Sequence, residues 1–142
     1  MTIIQTEPHW AAAYIGLPWA ADGEGPDAFH CWSLFRHVQQ QRFGRTLPVI
    51  PNPDDLLALA RSLRDHPERR RWVLTRTPHE GDLVLLRQAR YPIHVGLWID
   101  GGLVLHCLRA AGVVAQSTTS LAIHGWQIEG IYRFTGDRPC PS

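Results

Sequence analysis

Lysine is absent from this 142-residue chain; all 14 basic residues are arginine. We read that as a genomic composition bias rather than as chemistry. Against 13 acidic residues it leaves a formal net charge of +1. So nearly neutral a chain has little field with which to hold a polyanion, which argues against nucleic acid or an anionic membrane as the main partner. Cysteine is scarce and odd in number, with Cys31, Cys107 and Cys140 and no Cys-x-x-Cys spacing. Neither a disulfide framework nor a zinc knuckle is implied. No apolar window reaches the roughly 20 residues that a membrane-spanning helix needs. Met1 to Gln5 also lacks the basic and long apolar regions of a secretory signal. The expectation is cytoplasmic synthesis without a signal peptide, with delivery elsewhere left to something else.

What is present is enough for one core. The length suits one domain over residues 1–142, and the apolar fraction of 44% is ordinary for a globular protein. No internal repeat and no second domain is visible. A short first helix is expected from Glu7 to Tyr14, with Pro8 in its first turn, Gly16 ending it and Pro18 barring its continuation. A second should start near Cys31 and run to about Arg42, with Leu34, Phe35 and Val38 inward, Gln39, Gln40 and Gln41 near the solvated end, and Gly44 as the stop. Asn52 and Pro53 can cap and start a third, to about Asp65. Beyond Trp72 the pattern turns to strands: 81–87, a hairpin of 93–99 and 103–108 joined by Asp100-Gly101-Gly102, then 112–116 and 128–134. Helices first and an antiparallel sheet second is an α+β order. Residues 1–6 and 136–142 are expected to be loosely ordered ends.

The chemistry gathers at Cys31. It follows the loop Asp22-Gly23-Glu24-Gly25-Pro26-Asp27 and opens an apolar helical period. The first N–H groups of a helix lack intrahelical partners, and the macrodipole adds roughly half a positive charge there. Both favour a thiolate, so the Cys31 pKa is expected below the roughly 8.5 of a free cysteine.

A cysteine nucleophile needs a base, and the base needs a group to hold its ring. With a three-residue loop at 100–102, Ile99 pairs with Leu103, Gly96 lies opposite His106, and His94 and His106 become diagonal neighbours on one face. Their backbones are then within about 7–8 Å, a gap side chains can bridge, and Gly96 leaves space between them. A two-residue loop would put them on opposite faces. Either histidine could be the base. Three other readings stay open: Cys31 as a small core residue, the histidines as structural groups, and Cys31, His94 and His106 as a metal site. Cys107 alternates away from His106 and reads as core. Cys140, His9, His66, His79 and His124 have no partner pattern and read as surface or loop groups.

These stretches resemble a known family. Tyr14-Ile15-Gly16-Leu17-Pro18-Trp19 followed by Gly25-Pro26-Asp27-Ala28-Phe29-His30-Cys31-Trp32 looks like the nucleophile motif of NlpC-type cell-wall cysteine peptidases. Glu80-Gly81-Asp82-Leu83-Val84-Leu85 resembles their first core strand, His94-Val95-Gly96-Leu97-Trp98 the catalytic histidine strand, and Val104-Leu105-His106 the third catalytic position. The Cys-Trp pair, the Trp72 stretch and the small size are most similar to the phage tail-associated branch, with its prophage and gene-transfer-agent relatives. The resemblance implies a papain-like α+β fold with the nucleophile at a helix start packed on an antiparallel sheet. It implies Cys31 as nucleophile, His94 as base and His106 as orienting residue, with no metal and no cofactor. The implied reaction is hydrolysis of the γ-D-glutamyl to diaminopimelate bond of peptidoglycan stem peptides, by a virion- or tail-associated protein acting at the cell wall with phage-like tail proteins as partners.

Three positions depart from the family pattern. Trp19 stands where a tyrosine usually lines the oxyanion site, His30 where an aspartate commonly precedes the nucleophile, and Ala21-Asp22-Gly23 weakens the usual Trp-Gly-Gly. Trp19, His30 and Trp32 are therefore the residues expected to shape substrate binding. The alternatives are a structural tail-tip assembly protein with weak or no activity, and an amidase or acyltransferase on a non-wall substrate.

Overall fold

A computed structural model describes residues 9–50, 70–88 and 91–136. A 3₁₀ turn at Trp10–Ala13 is followed by helix α1 (Cys31–Phe43) and then by strands β1 (Trp72–Leu74), β2 (Leu83–Gln88), β3 (Tyr91–Ile99), β4 (Leu103–Leu108) and β5 (Gly112–Ser117). The short helix α2 (Thr118–Ile123) and strand β6 (Gln127–Phe134) follow, the last elements among the described residues. The strands form one antiparallel sheet in the order β1-β6-β2-β3-β4-β5. The α+β class is as expected, with α2 set between two strands. The expected helix from Pro53 lies outside the described residues, as do Pro8, His66 and Cys140. None of the described helices is long and apolar enough to cross a membrane.

Helix α1 forms where the local signals agree. His30 is its N-cap, accepting from the Ser33 N–H, while Ser33 Oγ accepts from the His30 N–H at 2.9 Å. This reciprocal capping satisfies two of the orphan donors of the first turn. Gly44 ends the helix at a left-handed φ of 66°. Leu34, Phe35 and Val38 face inward on one stripe, and each buried side chain of this size stabilises by about 1.5–3 kcal/mol. Gln39 departs from expectation: it is fully buried rather than solvated. Its Nε2 donates to Gly81 O at 2.8 Å and its Oε1 accepts from Arg45 at 2.9 Å. A neutral amide with its donor and acceptor both matched can be buried without an orphaned polar group.

The sheet separates two apolar layers by alternation. Leu83, Leu85, Val95, Leu97, Ile99, Leu105 and Cys107 join the cluster that holds α1. Val84, Leu86 and Val104 face the other way, against Leu121 of α2 and partly buried Trp98, Trp126 and Ile128. At the start of β2, buried Asp82 accepts from the His79 N–H at 2.8 Å and from Arg133 Nη2 at 3.0 Å, tying β2 to β6. Removing that carboxylate strands its partners. Asp82→Ala is expected to cost about 2–3 kcal/mol, since hydrogen bonds to charged groups contribute about 1.5–3 kcal/mol each. A denaturant midpoint unchanged from wild type would contradict this.

Candidate active site

Cys31 is the first residue of α1 and 4% exposed. The preceding loop doubles back to put it there. Phe29 N–H donates to Pro18 O at 3.1 Å and Ala20 N–H to Phe29 O at 2.9 Å, which sets Trp19 beside Phe29. Further back, Val113 N–H of β5 donates to Leu17 O at 2.9 Å. Gly112 permits that approach: a Cβ there would run into Leu17 O.

The hairpin supplies the imidazoles. Its register is Ile99↔Leu103, Trp98↔Val104 and Leu97↔Leu105, the three-residue-loop register. Beyond Leu97 the pairing of β3 with β4 stops, and the Val95 backbone N–H pulls the Cys31 thiol pKa downward. The residue before Val95 is His94. His94 Nε2 lies 2.8 Å from His106 Nδ1, so the two rings share one hydrogen bond and His94 Nδ1 is the nitrogen left to exchange a proton. Gly96 makes this possible, because a Cβ there would sit 2.5 Å from Val104 Cγ1 and 3.4 Å from His106 Cβ. Among the described residues no group of three His, Cys, Asp or Glu side chains is arranged to hold a metal ion.

Two further residues stand on this site. Trp126 stacks on His94 with ring centroids 4.7 Å apart and planes at 30°. Gln116 Oε1 lies 2.7 Å from His106 Nε2. Gln116 was legible in principle. In the β4–β5 register His106 pairs with Val114, so Gln116 is its diagonal neighbour on the same face, as His94 is across β3–β4. Trp126 sits in the connection between α2 and β6, where no periodicity marks it.

Two of the residues expected to shape substrate binding do not join the site. His30 is buried as the helix cap, with Nδ1 facing the Ser33 N–H and Nε2 3.3 Å from Glu24 Oε1. Trp32 is buried in the core, its indole N–H donating to Pro48 O at 2.8 Å and its ring against Phe35. Helical geometry explains both: the cap position and the residue after the nucleophile turn away from the strand that Cys31 meets. Trp19 remains half-buried beside Phe29, with the Arg109 guanidinium 4.7 Å above its ring. Cys107 is core, as alternation indicated, its thiol donating to Phe29 O at 3.3 Å. His9 and His124 do have partners, Glu80 Oε1 at 2.9 Å and Ser120 O at 2.8 Å.

The family model of NlpC/P60 matches residues 16–129, most of the chain and the whole of this arrangement. The chain belongs to the NlpC/P60 family. Solved structures agree on the fold. The NlpC/p60 domain of the peptidoglycan hydrolase SagA superposes with a TM-score of 0.61 at 21% identity, over 87% of this chain and 92% of that one. NlpC1 from Trichomonas vaginalis gives 0.61 at 17% identity over 87% of this chain. A protein similar to lipoprotein, of the NLP/P60 family, from Staphylococcus aureus subsp. aureus Mu50 gives 0.57 at 20% identity over 89%. This chain spans 41% and 39% of those last two. No curated protein matches it.

Electrostatics in this NlpC/P60 site overturn one expectation. The Cys31 thiol is pushed up from its ordinary value, not down. Burial is the larger cause; the backbone N–H groups of Val95, Trp32 and Cys31 itself act in the opposite sense but do not prevail. His94 is held well below the ordinary imidazole range, first by burial and then by the nearby His106. His106 falls to about 4 by burial, against a smaller upward pull from its bond to Gln116. At neutral pH Cys31 therefore rests as a thiol and His94 and His106 as neutral imidazoles.

That has a consequence for stability. An unfolded imidazole takes its proton near pH 6.5, whereas folded His106 does so only near 4, so between those values the unfolded chain binds more protons. Stability present above pH 6.5 is lost as pH falls through about 4. The His106 contribution is on the order of 3 kcal/mol at about 1.36 kcal/mol per pH unit. The expected result is a Tm that declines between pH 6.5 and 4, with a shallower decline in His106→Gln. A slope identical in the two proteins would contradict it.

Proposed function

We propose that this NlpC/P60 chain is a cysteine peptidase that hydrolyses peptidoglycan stem peptides at the γ-D-glutamyl to diaminopimelate bond. Cys31 is the nucleophile, His94 the base and His106 the residue that orients it. The observation that carries the reading is the 2.8 Å His94–His106 bond, one residue along β3 from the Val95 N–H that favours a Cys31 thiolate at a helix start. Membership of the family and the fold shared with the NlpC/p60 domain of a peptidoglycan hydrolase support the substrate class.

The neutral resting state defines the mechanism. Cys31 attacks the scissile carbonyl while its thiol proton passes to His94 Nδ1, forming the S–C bond and a tetrahedral oxyanion. N–H groups at the start of α1, unpaired within the helix, are the donors this mechanism assigns to that negative charge; one well-placed donor contributes on the order of 3 kcal/mol. Collapse breaks the C–N bond, and His94 gives its proton to the leaving amine. Water then attacks the thioester, returning a proton through His94 to the sulfur and releasing the carboxylate. His106 keeps the His94 ring oriented throughout.

The setting within this proposal is a phage or phage-like tail that opens a path through the wall, a reading supported by the Cys31-Trp32 pair and the Trp72 stretch. A second reading, a structural tail component with little activity, is favoured by the 4% exposure of Cys31 and its raised thiol. One experiment separates them. Wild-type protein releases new amino termini from purified peptidoglycan, and Cys31→Ala lowers that rate by at least about 10³-fold, the scale seen when a nucleophile is removed. Equal rates in the two proteins would refute the catalytic role. No release by the wild type would favour the structural reading.

A further inference from the structure

We propose that Gln116 is a positioning residue that sets the tautomer of the His94–His106 pair, so that His94 presents a bare Nδ1 to Cys31. This deepens the catalytic reading above and rests on it for its functional meaning.

The proton positions are fixed outward from the amide. Gln116 Oε1 is 2.7 Å from His106 Nε2, and a carbonyl oxygen can only accept, so Nε2 carries the hydrogen. A neutral imidazole has a single N–H, which leaves His106 Nδ1 as an acceptor. His94 Nε2 lies 2.8 Å from that Nδ1 and must therefore donate. The remaining nitrogen, His94 Nδ1, is then a lone pair, the state a general base requires. Burial of both rings keeps them neutral, so each link in the chain holds.

Gln116 is itself held. Its Nε2 donates to Ser120 Oγ at 3.0 Å, and Ser120 is fixed at the start of α2 by its N–H to Ser117 Oγ, at 3.1 Å. His124 Nδ1 donates to Ser120 O at 2.8 Å. The β5–α2 junction thus fixes the amide, the amide fixes His106, and His106 fixes His94. Were the amide turned over, every proton in the chain would reverse and His94 Nδ1 would carry the hydrogen, unable to accept one from Cys31.

The test reads tautomers directly. In ¹⁵N-histidine-labelled protein at pH 7, with His94 and His106 assigned from His94→Gln and His106→Gln difference spectra, both rings should show a protonated Nε2 and a bare Nδ1. In Gln116→Leu the His94 Nδ1 signal should move toward the protonated position. Its kcat on peptidoglycan should fall on the order of 10-fold or more with KM little changed, short of the 10²–10⁴ that a general base itself contributes. Gln116→Glu, which keeps an acceptor at the same place, should retain the tautomer and most of kcat. The proposal is overturned by a protonated Nδ1 on wild-type His94, by unchanged tautomers and kcat in Gln116→Leu, or by Gln116→Glu behaving as badly as Gln116→Leu. The spectra need no turnover, so they judge Gln116 even if the chain proves not to cleave wall peptides.

Discussion

One hydrogen bond, from His94 to His106, depends on the register of a single hairpin, and most of the candidate site depends on that bond. The turn at 100–102 sets Ile99 opposite Leu103. Because side chains alternate strictly along a strand, a loop one residue shorter would carry the two histidines to opposite faces. Gly96 then keeps the space between the strands clear. Where β3 and β4 cease to pair, the Val95 N–H acts on the thiol of Cys31 at the start of α1. The hairpin therefore does two tasks: it aligns the imidazoles, and where its strands part it presents the Val95 N–H that acts on Cys31.

Burial and helix position compete over the charge state of Cys31, and burial prevails. A helix start offers partial positive charge confined to its first turn. Packing around Cys31, with Cys107 close enough that Cys31 adds to the upward shift of the Cys107 thiol to about 12, imposes a desolvation cost that the N–H groups offset only in part. The same burial lowers both imidazoles. In the proposed mechanism, neutral Cys31, His94 and His106 need no stored ion pair, but they do need their protons on the correct nitrogens before substrate arrives. On that mechanism the polar chain through Gln116, Ser120 and α2 takes part in the chemistry as well as in packing.

Much of this was legible in the residues because the signals were local. A loop rich in Gly, Pro and Asp ahead of an apolar period placed the start of α1; Gly44 placed its end; two glycines after Asp100 placed the hairpin, while its register stayed open between two loop lengths until the structure gave the three-residue one. What escaped is set by tertiary packing. The depth at which Cys31 lies is not encoded in motif spacing, so its charge state was misjudged. Gln39 and Gln116 are amides, and polarity alone reads as solvent-facing until a buried partner such as Gly81 O or His106 is known. Strand β1 and helix α2 have three and six residues, too few for a periodic signal. His30 and Trp32 flank the nucleophile in the chain, yet the helix turns both into the protein.

The account stands on acyl transfer through one sulfur, and the most direct measurement is to catch that intermediate. Wild-type protein mixed with a stem peptide and quenched in acid within the first turnovers should gain the mass of the acyl fragment. Peptide mapping should place the adduct as a thioester on Cys31, with none on Cys107 or Cys140. Cleavage of the stem peptide without any adduct on Cys31 would contradict the account.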